Sequence, residues 1–185
     1  MPERTQIPTA PDKTAEVQVT TLRGGTLMRL KSWLPEHSTG AKSVALAGLE
    51  LPSQVGATLS SPIRTLCVGP GEWLIMSHKY QASRLRELLE PDLAKYGLAL
   101  VDLTDGLAGL DILGGATREV LSKGCGLDLH PRSFPVGRCA RTRFAQIPAV
   151  VECLDEQRFE LHVARSYLQY LHSWLLDAAI EFQST

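Results

Sequence analysis

Short apolar runs recur in pairs along this chain, each pair set around a turn signal, and helical stretches follow them singly. Residues 63–68 and 73–77 flank Gly69-Pro70-Gly71-Glu72, residues 98–103 and 107–113 flank Asp105-Gly106, and residues 138–146 and 149–154 form a third pair. Glycine, proline and aspartate between alternating apolar residues are the local signature of a hairpin. This spacing excludes a doubly wound parallel sheet, whose strands need a crossover of a dozen residues or more. It predicts an α+β fold: antiparallel or mixed sheets with helices packed on them, built from split β-α-β modules.

The remaining elements fill in around these pairs. Residues 17–22 and 27–33 are strand candidates around Gly24-Gly25, and residues 41–49 read as a short helix stopped by Pro52. Residues 50–62 read as a loop. A helix is expected from about Gln81, with Leu85, Leu88 and Leu89 on one face, a kink or break at Pro91 and a stop at Gly97. Residues 116–123 form a second short helix, and 159–163 a further strand. The closing helix carries a capping-box pattern, Ser166 and Gln169. Tyr167, Tyr170, Leu171, Trp174, Leu175, Ala178 and Phe182 recur along it at helical spacing and are expected to be its buried face. Residues 1–15, with Pro2, Pro8 and Pro11 among polar residues, read as a flexible arm. Residues 16–185 read as one domain, with two packed lobes of about 16–100 and 101–185 as a possible division.

Composition narrows the function classes. Nineteen basic residues against twenty acidic ones leave a net charge of -1, without the basic excess of a nucleic-acid binder. No apolar run approaches the roughly 18 residues of a membrane span. The start of the sequence lacks the basic and apolar regions of a secretory signal, so a cytoplasmic protein is expected. Cys67, Cys125, Cys139 and Cys153 form no Cys-x-x-Cys pair, and free buried thiols are expected, with no metal bound.

Candidate chemistry is sparse. The glycines at 106, 109, 114 and 115 lack the Gly-x-Gly-x-x-Gly spacing of a dinucleotide loop. His130 stands between Asp128 and Arg132. It is either an acid–base group oriented by Asp128 or a residue fixing a proline-bounded turn, and the absence of an adjacent nucleophile favours the turn. Asp102 and Asp105 bracket a turn, which explains them, although they are also able to meet a cationic or amide-bearing ligand. Arg132, Arg138, Arg141 and Arg143 fall within twelve residues. On a strand, Arg141 and Arg143 share one face, either solvated or docked on an acidic partner. With His130 they are the candidate interface. No catalytic, cofactor-binding or metal-binding residue is assigned.

Read as continuous strings, several segments resemble the gamma subunit of heterotetrameric sarcosine oxidase. These are Asp102-Leu-Thr-Asp-Gly106, Leu110-Asp-Ile-Leu-Gly-Gly-Ala-Thr-Arg-Glu-Val-Leu-Ser-Lys-Gly-Cys125, and Leu127-Asp-Leu-His-Pro-Arg-Ser-Phe-Pro-Val-Gly-Arg-Cys-Ala140. Gly69-Pro-Gly-Glu-Trp-Leu-Ile75 resembles the family's Gly-Pro-x-Glu-Trp hairpin, and Trp174-Leu-Leu176 its ending. The likeness spans residues 63–182, while 1–60 match in general organisation only. It implies a fold like the folate-binding domain of aminomethyltransferase. It also implies an accessory, non-catalytic subunit that works with alpha, beta and delta chains in the oxidative demethylation of sarcosine or another N-methyl amine. The one-carbon unit would pass to tetrahydrofolate, and FAD, FMN, NAD, zinc and tetrahydrofolate would belong to the partner chains. The alternative is a folate pocket in this chain, with Asp102 or Asp105 at the pterin and Arg141 and Arg143 at the glutamate tail.

Overall fold

Glycine at 71, with φ at 62°, reverses the chain between two strands, β6 (Arg64–Gly69) and β7 (Glu72–Ser77), as the turn signal predicts. The fold is that of a computed structural model in which residues 17–34, 44–60 and 63–183 are described. The expected arm at residues 1–15 lies outside them. Around this hairpin grows an antiparallel sheet in the order β5-β6-β7-β2-β8, completed by β5 (Thr58–Leu59), β2 (Thr26–Ser32) and β8 (Leu98–Asp102). The second five-stranded antiparallel sheet has the order β1-β9-β12-β11-β10. Its strands are β1 (Gln18–Thr21), β9 (Leu107–Leu113), β12 (Arg158–Ala164), β11 (Ile147–Asp155) and β10 (Cys139–Phe144).

The period-2 alternation of strands then sets the layers. On β12, Phe159, Leu161 and Val163 join a core with Leu110, Ile112 and two helices, α2 (Thr117–Ser122) and α3 (Leu168–Ala179). On β6 and β7, Cys67, Trp73 and Ile75 join a separate core with α1 (Ala82–Leu93). The other strand faces meet between the sheets, where Leu66, Val68, Leu74 and Met76 pack on Cys139 and Val150. The result is helix, sheet, sheet, helix, with both sheets covered on both faces. Among the described residues no helix is long and apolar enough to cross a membrane.

Several expectations need correction. Residues 44–51 form no helix. They make a hairpin of β3 (Val44–Leu46) and β4 (Leu49–Leu51) around Ala47-Gly48, whose φ values of 47° and 83° are those of a type I′ turn. Leu49 and Leu51 are buried and Glu50 exposed, a period of two that the short window disguised. Residues 98–113 form no hairpin either: β8 pairs with β2 and β9 with β1 and β12. The Asp105-Gly106 turn closes locally, with the Gly106 and Leu107 amides donating to the Leu103 carbonyl, and carries the chain from one sheet to the other. Nor does α1 break at Pro91, which lies two residues before its end on the exposed side, where the hydrogen bond it cannot donate matters little.

The capping box is also absent. Ser166 lies inside a 3-10 turn (Arg165–Tyr167), and Tyr167 caps α3 with no side-chain bond. The buried face of α3 is Leu171, Leu175 and Ala179, while Tyr167 and Tyr170 are exposed. Tyr170 instead donates its hydroxyl to the Ala145 carbonyl at 2.9 Å. The sheets also do not divide the chain cleanly at residue 100, since β1 precedes it yet pairs with β9.

The first core depends on a close approach at Gly124. A Cβ there would clash with Cζ of Phe144, a fully buried ring that meets Trp174 edge-on at 5.3 Å. Gly124→Ala is therefore expected to destabilise the protein by about 1–3 kcal/mol through overpacking. Urea denaturation is the measurement, and a shortened partner, Phe144→Leu, is expected to recover part of the loss in a double-mutant cycle.

Candidate functional site

The chain passes between the sheets twice in neighbouring places, at residues 22–25 and 103–106. The Leu22 amide donates to the Gly109 carbonyl at 2.9 Å and the Leu103 amide to Leu27 at 2.8 Å, so the two crossings lie side by side. They frame a cavity of about 440 Å³. Leu22, Leu27, Met76, Leu107 and Leu168 give it apolar wall, and Arg23, Arg64, His78, Asp105, His162 and Arg165 bring charge or imidazole to it. Arg165 anchors the second crossing by donating to the carbonyls of Asp105 at 2.6 Å, Thr104 at 3.0 Å and Leu107 at 3.3 Å.

Behind the cavity lies a buried charged cluster. Arg64 reaches out of β6 and donates to Glu160 on β12, while its other terminal nitrogen is 3.6 Å from Glu152 on β11. Glu152 and Glu160 are direct cross-strand partners. Nε2 of His162 is 3.2 Å from Glu160, held by proximity more than by an aligned hydrogen bond. Both Glu152 carboxylate oxygens and both His162 ring nitrogens are buried without an aligned hydrogen-bond partner.

The two carboxyls are driven apart. Burial raises Glu152 to about 7, since the charge of Arg64 offsets only part of the cost and Glu160 adds repulsion. Burial pushes Glu160 the same way, but the contacts with His162 and Arg64 outweigh it and hold it at about 2. Burial likewise opposes the Arg64 charge, and the two carboxylates reverse that effect and raise it. Glu152, Glu160 and His162 place a donor atom each within 4.8 Å of one another, as a metal site would. The guanidinium of Arg64 already supplies the positive charge those carboxylates face, so the cluster reads as an internal ion-pair network.

The sequence candidates lie elsewhere. His130 is exposed in a turn: its amide donates to Asp128 at 3.0 Å, and its Nδ1 accepts the Arg132 amide at 3.2 Å. The Ser133 hydroxyl and the His130 amide hold the Asp128 carboxyl below its ordinary value. Arg118, which drew no notice in the sequence, donates to the Leu129 and Phe134 carbonyls and fixes this connection from α2. Arg141 grips Glu72 with both terminal nitrogens at 2.6 and 3.2 Å, which ties β10 to β7 and, with burial opposing, lowers Glu72. Arg143 folds onto Gln146, Arg132 is exposed, and Arg138 lies against Gly56. Asp102 accepts the Thr104 amide at 2.9 Å. Of the residues named for a folate pocket, only Asp105 lines the cavity.

Residues 36–181 match the sarcosine oxidase, gamma subunit family. The chain belongs to this family. It is 33% identical over 150 residues to the sarcosine oxidase subunit gamma of Corynebacterium sp. (strain U-96), covering 80% of this chain and 72% of that protein. It is 32% identical over 153 residues to the corresponding subunit of Arthrobacter sp, covering 82% and 74%. Among solved structures it resembles the heterotetrameric sarcosine oxidase from Corynebacterium sp. U-96 in complex with pyrrole 2-carboxylate. That likeness has a TM-score of 0.80 and 28% identity over 95% of this chain and 89% of that one. The glycine cleavage system aminomethyltransferase T from Bartonella henselae shares the fold, with a TM-score of 0.63 at 12% identity over 89% of this chain and 46% of that one.

The part of this gamma-family chain that matches the family carries the whole buried cluster, Arg64, Glu152, Glu160 and His162, whereas the first crossing precedes it. The cluster makes stability depend on pH from both sides. Glu152 holds a proton in the native state that the unfolded chain releases, so stability falls as pH rises from about 4.5 to 7, by an amount on the order of 3 kcal/mol. Glu160 works oppositely, and its contribution is lost as pH falls from about 4.5 towards 2. Urea denaturation from pH 3 to 8 is expected to show both limbs, and Glu152→Gln to flatten the upper limb while keeping the lower.

Proposed function

We propose that this chain serves as the gamma subunit of a sarcosine oxidase complex, packed with alpha, beta and delta chains and contributing shape and contact surface in place of reacting groups. The likeness to a chain of the heterotetrameric enzyme over 95% of this chain carries the reading. The complex would act in the cytoplasm on sarcosine or another N-methyl amine and pass the one-carbon unit to tetrahydrofolate. FAD, FMN, NAD, zinc and tetrahydrofolate would be held by the partner chains.

The chemistry of the chain's own groups supports an accessory role. A cysteine nucleophile needs a thiolate. Here burial raises all four thiols, Cys139 to about 12. The most buried acids and the basic groups beside them are committed to one another across the sheets. His130 and Asp128 stabilise a turn: His130 Nδ1 is taken up by the Arg132 amide, and the Ser133 hydroxyl donates to Asp128.

The test is to express the partner chains with and without this one. Joint expression is expected to give a single species on size-exclusion chromatography that contains this chain and oxidises sarcosine. Omission is expected to give subcomplexes with reduced activity. Full assembly and undiminished activity without this chain would falsify the proposal.

A further inference from the structure

The cavity between the sheets is graded from end to end. At its inner wall His162, 4% exposed, turns Nε2 to Glu160 and leaves Nδ1 without a partner. In the neutral ring with its proton on the nitrogen facing the carboxylate, Nδ1 is the lone-pair side and accepts a hydrogen bond. Gly109 lies beside that edge, where a Cβ would meet Cδ1 of Leu22 at 2.7 Å and Nδ1 at 3.2 Å, so the absence of a side chain there leaves room for both. The middle of the cavity is apolar, with Leu27, Met76 and Leu107. Arg23 and Arg165 also line it, both exposed, and neither has a carboxylate at ion-pair distance among the described residues. Apart from Arg64, whose charge meets Glu152 and Glu160, the fixed charges on the wall are these two arginines and Asp105, which leaves an excess of positive charge.

We propose that this cavity binds an apolar amino acid, its amino group donating to His162 Nδ1, its apolar body between the crossings, and its carboxylate at Arg165 and Arg23. Each end alone leaves part of the wall unanswered. A simple carboxylic acid gives the buried imidazole nothing to accept, and an unpaired buried polar atom costs free energy. A simple amine leaves the arginines without an anion. Cavities of roughly 300–1,000 Å³ are the usual size for small-molecule sites, and about 440 Å³ falls within that range. The proposal is independent of the subunit role: a gamma chain that binds no amino acid would still assemble, and one that binds it need not catalyse.

The test uses three probes with one apolar body: L-phenylalanine, 3-phenylpropionate without the amino group, and phenethylamine without the carboxylate. Each is titrated into the full chain, with binding read by calorimetry and by the imidazole Cε1–H resonance of His162. L-Phenylalanine is expected to bind saturably, about tenfold or more tighter than either truncated probe, and to shift that resonance. Arg165→Gln and Arg23→Ala are each expected to weaken L-phenylalanine severalfold and leave phenethylamine unchanged. Arg165 also holds the second crossing, so Arg23→Ala, at an exposed side chain, decides the matter if Arg165→Gln fails to fold. Absence of saturable binding at tens of millimolar L-phenylalanine overturns the proposal. Equal binding of a truncated probe, or a folded Arg23→Ala protein with unchanged affinity, overturns it too.

Discussion

Arg64 carries a positive charge out of one sheet and into the carboxylates of the other, and the way the two sheets meet is organised around that contact. A guanidinium taken from water costs several kcal/mol, which only well-placed anions offset. Glu160 supplies the direct bond, and Glu152 becomes a second negative neighbour as pH rises past about 7. Because the two glutamates are cross-strand partners, the register of β11 and β12 sets one carboxyl against the other, and with burial this keeps Glu152 protonated up to about pH 7 while Arg64 offsets part of the cost. Removing one member of such a set costs roughly 3–5 kcal/mol, because it leaves the others buried and unpaired. The ion pair is thus a statement about which face of each sheet meets which, more than a source of net stability. The Arg141–Glu72 pair repeats the arrangement towards the sheet edge.

The cavity follows from the same stacking. Two sheets packed face to face meet along their inner faces, and the two adjacent crossings bridge them at one end. Glycines at 24, 25, 106 and 109 give that region little bulk, and the opening remains between the crossings. The buried cluster and the cavity meet at His162, which takes part in both. Whatever occupies the cavity therefore bears on the contact that orients the sheets.

Much of the local structure was legible because its causes are local. Gly71, Gly97 and the apolar runs at 149–154 and 159–163 act within a few residues of themselves, and the elements they predict are present. Where a signal depended on a distant partner, it misled. Asp105-Gly106 reverses the chain as expected, but a turn does not choose the neighbours of its strands. Residues 44–49 were too short for their period to be read, and Asp92 of α1, which accepts the Ala47 amide at 2.9 Å, lies far along the chain. Arg141 was visible as a charge on a strand face, but not as the partner of Glu72, 69 positions away. Glu160 and His162 alternate with Phe159, Leu161 and Val163, and such alternation ordinarily means one face towards water.

By itself the sequence determined most of the strands and turns, the positions of the three helices and the likeness to the gamma subunit family, since strings of residues and near-neighbour geometry carry all of these. The tertiary structure decided which strands pair across the Asp105-Gly106 turn, which polar residues are buried, and where the cavity opens. The physical reason is the reach of the interactions. A hydrogen-bonded turn closes over about four residues. The dielectric around Glu160 is set by a sheet that covers it and by an arginine 96 positions earlier in the chain.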